Sequence, residues 1–191
     1  MCASDIIALC SLALAVLSAI YTVVKNHQTA KLRKEVEKVQ LNVIQASQLY
    51  RSVKEAKCLF QDSLSKLTII QQENDTPACD AKQAFLDAYN RYTDFYNEVN
   101  DYCTMVNNGA IQAENYIRDT ISVSLSMYAK QQCELYPMLN TIAQKTGLEP
   151  LPSPDYKAFK DYDDFLIRYN GGENSAFWIE LKTLRKKAGF E

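Results

Sequence analysis

Few side chains in this 191-residue chain could do chemistry, and their spacing keeps them apart. The one histidine, His27, sits beside Lys25 at the end of an apolar run. A hydrolytic triad or a His-based metal centre needs a nucleophile or further ligands close by, and that position argues against both. His27 reads instead as a polar residue at a membrane surface. Asp80, Asp87, Asp94, Glu98 and Asp101 fall close to one helical face. Carboxylates so spaced could hold a divalent cation. Lying opposite the stripe Phe85, Tyr92, Phe95, they are better explained as the solvated side of an amphipathic helix. The acidic run DYDDF (161–165) reads likewise as helix surface. Gly109 and Gly147 stand alone, and Gly171-Gly172 lacks the Lys-Ser/Thr that completes a phosphate loop. The expectation is no catalytic residue, no metal ligand and no cofactor, with an enzyme the least favoured class.

The six cysteines, Cys2, Cys10, Cys58, Cys79, Cys103 and Cys133, form no C-x-x-C pair and no cluster. Their scatter suits reduced, small apolar residues in a cytosolic compartment better than a disulfide framework. Twelve tyrosines are many for this length. Tyr89, Tyr92, Tyr96, Tyr102, Tyr116, Tyr128 and Tyr136 could line a binding groove, or fill partly buried positions of a small bundle. The formal net charge of −2 lacks the basic excess of a nucleic-acid binder.

The elements that position these residues are helical. Five glycines and five prolines are too few to punctuate a strand-rich fold. The chain reads as all-α, with a transmembrane anchor at 1–25, a long cytoplasmic helix at 26–74 and a helical bundle at 78–191.

The run IIALCSLALAVLSAIYTVV (6–24) carries no charge. As a helix it is roughly 28 Å long, close to the hydrocarbon thickness of a bilayer. A cleaved signal peptide would want a basic start, a core of about 7–15 apolar residues and a small-x-small cleavage site. Here the start is MCASD and the run ends AIYTVVKN, so a retained anchor is expected. Lys25, Lys31, Arg33 and Lys34 follow the span and no basic residue precedes it. The positive-inside rule then places the amino terminus outside and the rest in the cytoplasm.

From Leu32 the apolar residues alternate in fours and threes: Leu32, Val36, Val39, Val43, Ala46, Tyr50, Val53, Phe60, Leu64 and Leu67, broken only at Lys57. Five heptads exceed the threshold of about three or four for a coiled coil. Leu41, Ile44, Leu49, Ala56 and Leu59 add a partial second stripe. The heptad stripe is either a seam between subunits or the inner face of the chain's own bundle. Carried backwards, its phase meets Thr22, Ser18, Ala15, Ser11 and Ala8, all small, which favours close helix approach in lipid. One unbroken helix through Asn26-His27-Gln28 is therefore expected.

The turn residues of QQENDTPACD (71–80) end this helix. A second helix follows with Ala81, Phe85, Ala88, Tyr92, Phe95, Val99, Tyr102 and Val106 on its apolar side, stopping at Asn107-Asn108-Gly109. A third runs from about Ala110 to Glu134, with Glu114 and Arg118 as an i,i+4 pair, and Pro137 bends or restarts the chain. MLNTIAQKTG ends at Gly147 and LEPLPSPD is a linker. Two short helices, 156–169 and 175–188, close the chain, with Ser175 a cap for the last. The basic tail WIELKTLRKKAGF could touch anionic lipid or complete the bundle through Phe177, Trp178, Leu181 and Leu184; the single short apolar face favours the bundle.

The stretch NEVNDYCTMVNNGAIQAENYIRDTISVSLSMYAKQQCELYPML (97–139) resembles uncharacterised bacterial membrane-anchored helical proteins of the domain-of-unknown-function 4760 type. Asn97-Glu98, the turn through Gly109, Glu114, Asp119, Tyr128 and Pro137 carry the likeness. It implies an amino-terminal span, a helical stretch, a compact helical domain and a bacterial source, with no activity attached. The expected protein is a self-associating scaffold of the bacterial inner membrane. Its partners would be the bilayer, further copies of itself and a cytoplasmic protein. The alternative is a membrane-perturbing effector of a defence or toxin system.

Overall fold

A computed structural model of the chain describes the backbone of 3–72, 77–152 and 156–190, and the side chains of 18, 21–71, 77, 79–152 and 158–190. The predicted turn at 73–76 lies outside the described residues, as do the side chains of Ala8, Ser11 and Ala15. Every element found is helical, as expected: α1 (Ala3–Gln72), α2 (Ala78–Asn107), α3 (Glu114–Tyr116), a π-turn (Ile117–Ile121), α4 (Ser122–Lys145), a 3-10 turn (Tyr156–Phe159), α5 (Lys160–Tyr169) and α6 (Ala176–Ala188).

α1 passes through Asn26-His27-Gln28 without a break. No Gly or Pro interrupts it, so no residue forces a kink. Among the described residues no helix is long and apolar enough to cross a membrane. Most side chains of the 6–24 run fall outside those residues.

The chain divides into Met1–Asn42 and Val43–Glu191. This boundary falls inside α1, ahead of the 71–80 turn after which the sequence reading begins its bundle domain at 78. The reason is the burial of α1 from Ala46 onward. Ala46, Tyr50, Val53, Phe60 and Leu67 join Phe85, Phe95, Tyr96, Tyr102, Ile117, Leu125, Leu139, Tyr162, Phe165 and Leu181 in one core. Phe60 stacks on Phe95 with centroids 6.3 Å apart, and Tyr50 meets Tyr102 edge-on at 5.3 Å. Each large side chain so buried contributes about 1.5–3 kcal/mol.

α2 stops where its sequence says. Gly109 adopts φ 73°, and the Ala110 N–H donates to the Met105 carbonyl at 2.9 Å, satisfying an end-of-helix acceptor. Gly147 closes α4 in the same way, with the Leu148 N–H on the Ala143 carbonyl.

The third helix differs from its expected bounds. It starts at Glu114, because Ile111 and Ala113 are buried in a non-helical approach. It then widens through the π-turn and continues past Pro137 to Lys145. A helix-interior proline costs about 3 kcal/mol. The face bearing Ala129, Cys133 and Tyr136 continues beyond it as Leu139, Ile142 and Ala143, all buried, and that packing offsets the cost.

Ser175 caps α6, accepting from the Trp178 N–H at 3.2 Å. α6 seats Trp178, Leu181 and Arg185 in the core, so the basic tail completes the bundle.

Candidate functional site

Helix α1 presents two different surfaces along one heptad phase. In the bundle, Val53, Phe60 and Leu67 are 0–3% exposed, and Val43 and Leu64 are half-buried against the same core. Those members of the expected inter-subunit seam are used inside their own chain. Leu32, Val36 and Val39 are 61%, 54% and 61% exposed. They are the large aliphatic part of the seam that the single chain leaves uncovered. Of the second stripe, Leu49 and Ala56 pack on the core, while Leu41, Ile44 and Leu59 are exposed.

The collar residues Lys25, Lys31, Arg33 and Lys34 are all exposed, as is His27. The Lys25 ammonium lies 5.7 Å from the centre of the Tyr21 ring, a cation–π contact. Thr22 donates its hydroxyl to the Ser18 carbonyl and Thr29 to the Lys25 carbonyl, each at 2.8 Å. Both hydroxyls are thus satisfied within the helix.

Lys57, the break in the stripe, has a definite partner. Its ammonium sits 4.4 Å from the centre of the Tyr128 ring, at the edge of the core. Tyr128 in turn accepts the buried Tyr96 hydroxyl on its carbonyl at 3.0 Å. The candidate tyrosine groove is not formed: Tyr92, Tyr96, Tyr102, Tyr128 and Tyr136 are core residues. Burial raises the phenols of Tyr92, Tyr96 and Tyr102 well above their ordinary value.

The run DYDDF is more than helix surface. Tyr162 is fully buried, its hydroxyl donating to the Leu125 carbonyl. Asp161 accepts from the Thr104 hydroxyl at 2.8 Å, and its carbonyl accepts from the Asn107 amide. Asp163 takes a bidentate pair from Arg185 at 2.9 and 2.6 Å. These contacts tie α5 to α2, α4 and α6. Spacing along the chain gave no sign of them, because each joins residues more than twenty positions apart.

A cleft of about 700 Å³ opens beside α6, lined by Asp163, Trp178, Lys182, Arg185, Lys186 and Phe190. Its cations are explained locally. Arg185 answers Asp163, the Lys182 ammonium lies 5.6 Å from the centre of the Trp178 ring, and Arg185 and Lys186 stand in the last turn of α6, where they oppose the negative end of the helix dipole. That dipole also disfavours an anion there.

Glu114 accepts from Arg168 at 2.9 Å and from the Tyr169 hydroxyl at 3.0 Å, besides its weaker 3.8 Å pair with Arg118. Burial first, then the bond to Glu114, moves the Tyr169 phenol up to about 12. The acidic face of α2 is largely solvated, with Asp87 accepting from Gln83 and Asp94 facing Arg91. Among the described residues no group of three or more His, Cys, Asp or Glu is placed to hold a metal ion. Cys58, Cys79, Cys103 and Cys133 are free thiols, the first two exposed and the others buried. The feature best suited to an intermolecular role is therefore the α1 face carrying Leu32, Val36 and Val39 above the basic collar.

Comparison with family models, with curated proteins and with solved structures returns no match.

Proposed function

We propose that the chain is a single-pass, membrane-anchored helical interaction module without enzymatic activity. Residues 6–24 lie in the bilayer of a bacterial cell, with the amino terminus outside and the bundle in the cytoplasm. It associates with copies of itself and presents the bundle to a cytoplasmic protein partner. One observation carries this reading: a single helix, α1, joins the charge-free run, the basic collar and an uncovered aliphatic stripe without a break. A helix that stayed in water throughout would have no use for nineteen uncharged residues. The proposed kinship with the domain-of-unknown-function 4760 type rests on 97–139 and points the same way.

The test is inducible expression in a bacterial host while membrane potential is recorded. A scaffold leaves the potential unchanged, whereas rapid depolarisation that needs residues 6–24 would identify a membrane-perturbing effector instead. Crosslinking in membranes tests self-association. A strictly monomeric chain, indifferent to Ser11→Leu and Ala15→Leu, contradicts it.

A further inference from the structure

We infer that the uncovered segment of α1, from Thr22 to Val39, pairs in parallel and in register with the same segment of a second copy. This rests on the membrane reading above, which holds the copies in one orientation.

The residue types name the partner. In heptad terms the seam has two columns. One holds Thr22, Thr29 and Val36, and every member is β-branched. The other holds Lys25, Leu32 and Val39. β-branched residues throughout the first column and Leu32 at the centre of the second suit a parallel two-stranded coil, a preference that Lys25 and Val39 beside it weaken. The two threonines fit this column because each hydroxyl is bonded to its own helix, at Ser18 and Lys25. Neither would bring an unsatisfied group into the seam.

The flanks agree. Lys31, Lys34, Glu37 and Lys38 fall on the outer positions of such a coil. In a parallel pair the flanking contacts are Gln28 with Arg33 and Glu35 with Gln40, so no like charges meet on the flanks. Lys25 is the one charged member of the seam. In register it faces Lys25 of the second copy, which costs stability, and its long stem lets each ammonium leave the interface toward the Tyr21 ring of its own helix, 5.7 Å away. Leu41 lies on the opposite side and takes no part.

The extent of the seam sets its strength. Above Val39 the phase enters the chain's own core, with Val43 half-buried and Ala46 fully buried. Only about two heptads remain in water, fewer than the three or four of a self-sufficient coil. Pairing then depends on the bilayer, which supplies the high effective concentration of tethered copies.

The experiment uses the full chain with Cys2, Cys10, Cys58 and Cys79 replaced by Ser, in vesicles of phosphatidylethanolamine and phosphatidylglycerol. One new cysteine is placed by Thr29→Cys, Val36→Cys or Lys34→Cys, and a copper oxidant is added. Thr29→Cys and Val36→Cys should each form disulfide-linked dimers about tenfold faster than Lys34→Cys, since only seam positions bring the two Cα atoms within disulfide range. Thr29 and Val36 lie roughly 10 Å apart along the helix. An antiparallel pair can therefore self-link at only one of them, and that outcome overturns the parallel register. Rates at Lys34 equal to those at Val36 overturn the pairing, as would a foreign helix occupying the stripe and leaving both positions unlinked. A chain that fails to enter the vesicles overturns the anchoring reading beneath it.

Discussion

Lys57 holds its ammonium 4.4 Å above the Tyr128 ring and 3.4 Å from that residue's hydroxyl. The one charged position in an apolar stripe of α1 thus closes the core against α4 with its cation and its methylene stem.

Replacing Lys57 separates those two contributions. Lys57→Met keeps the stem and should change stability by less than about 1 kcal/mol. Lys57→Glu sets a carboxylate against the negative face of the ring and should cost about 1–2 kcal/mol. Urea unfolding of the full chain in detergent, followed by circular dichroism, measures both. Equal effects of the two changes contradict the cation–π role.

The pair Asp163–Arg185 is nearly dry, with side chains 18% and 5% exposed. Asp163→Ala leaves a buried guanidinium without its carboxylate and should cost about 3 kcal/mol. Asp163→Leu combined with Arg185→Met should cost clearly less, because no charge is then left behind. A double-mutant cycle of Asp163→Leu, Arg185→Met and the two together, by the same unfolding assay, reads the coupling. Additive losses would show that the two residues act independently.

Burial, the dominant cause, pushes the Cys133 thiol up from 9.0 to about 11, and raises Cys103 well above the same value. Below the unfolded value near 9.0 both states hold the proton, so the stabilisation from the neutral thiols is fully present. As pH rises past that point the unfolded chain binds fewer protons than the folded one. Stability then falls, and the Cys133 part is lost as pH passes through about 11. Unfolding midpoints measured between about pH 8 and about pH 10.5 should drop, and Cys133→Ala should make the drop shallower. An unchanged slope contradicts the assignment.

Cys79 is fully exposed, yet its thiol donates to Asp80 at 3.3 Å, and that hydrogen bond raises its proton affinity. Asp80→Asn should accelerate maleimide labelling of Cys79 at neutral pH, because the thiolate is the reactive form. Mass spectrometry of labelled peptides resolves the site. Cys103 and Cys133 should stay unlabelled in the folded chain, since both are buried.

The helical architecture could be read from the sequence wherever one local signal decided it. The stripe from Phe85 to Val106 is buried as its period requires, and Gly109, Gly147 and Ser175 end or start helices at the expected places. Pro137 misled because tertiary burial of Tyr136 and Leu139 overrides a local penalty. The heptads of α1 were ambiguous for a physical reason. One period serves both a coiled coil and a bundle helix, and only packing separates Val36 from Val53. The clasp of Asp161 and Asp163 onto Thr104 and Arg185 depends on chain topology, which no local pattern encodes.

The proposed anchoring of a cytoplasmic bundle in a membrane by α1 has a direct test. Membranes from cells expressing the full chain should be washed in alkaline carbonate and, separately, treated with a membrane-impermeant maleimide as intact cells and as inverted vesicles. The chain should stay in the pellet, and the exposed thiols Cys58 and Cys79 should be labelled only in the inverted vesicles. Release of the chain into the carbonate supernatant, or labelling of Cys58 and Cys79 in intact cells, contradicts it.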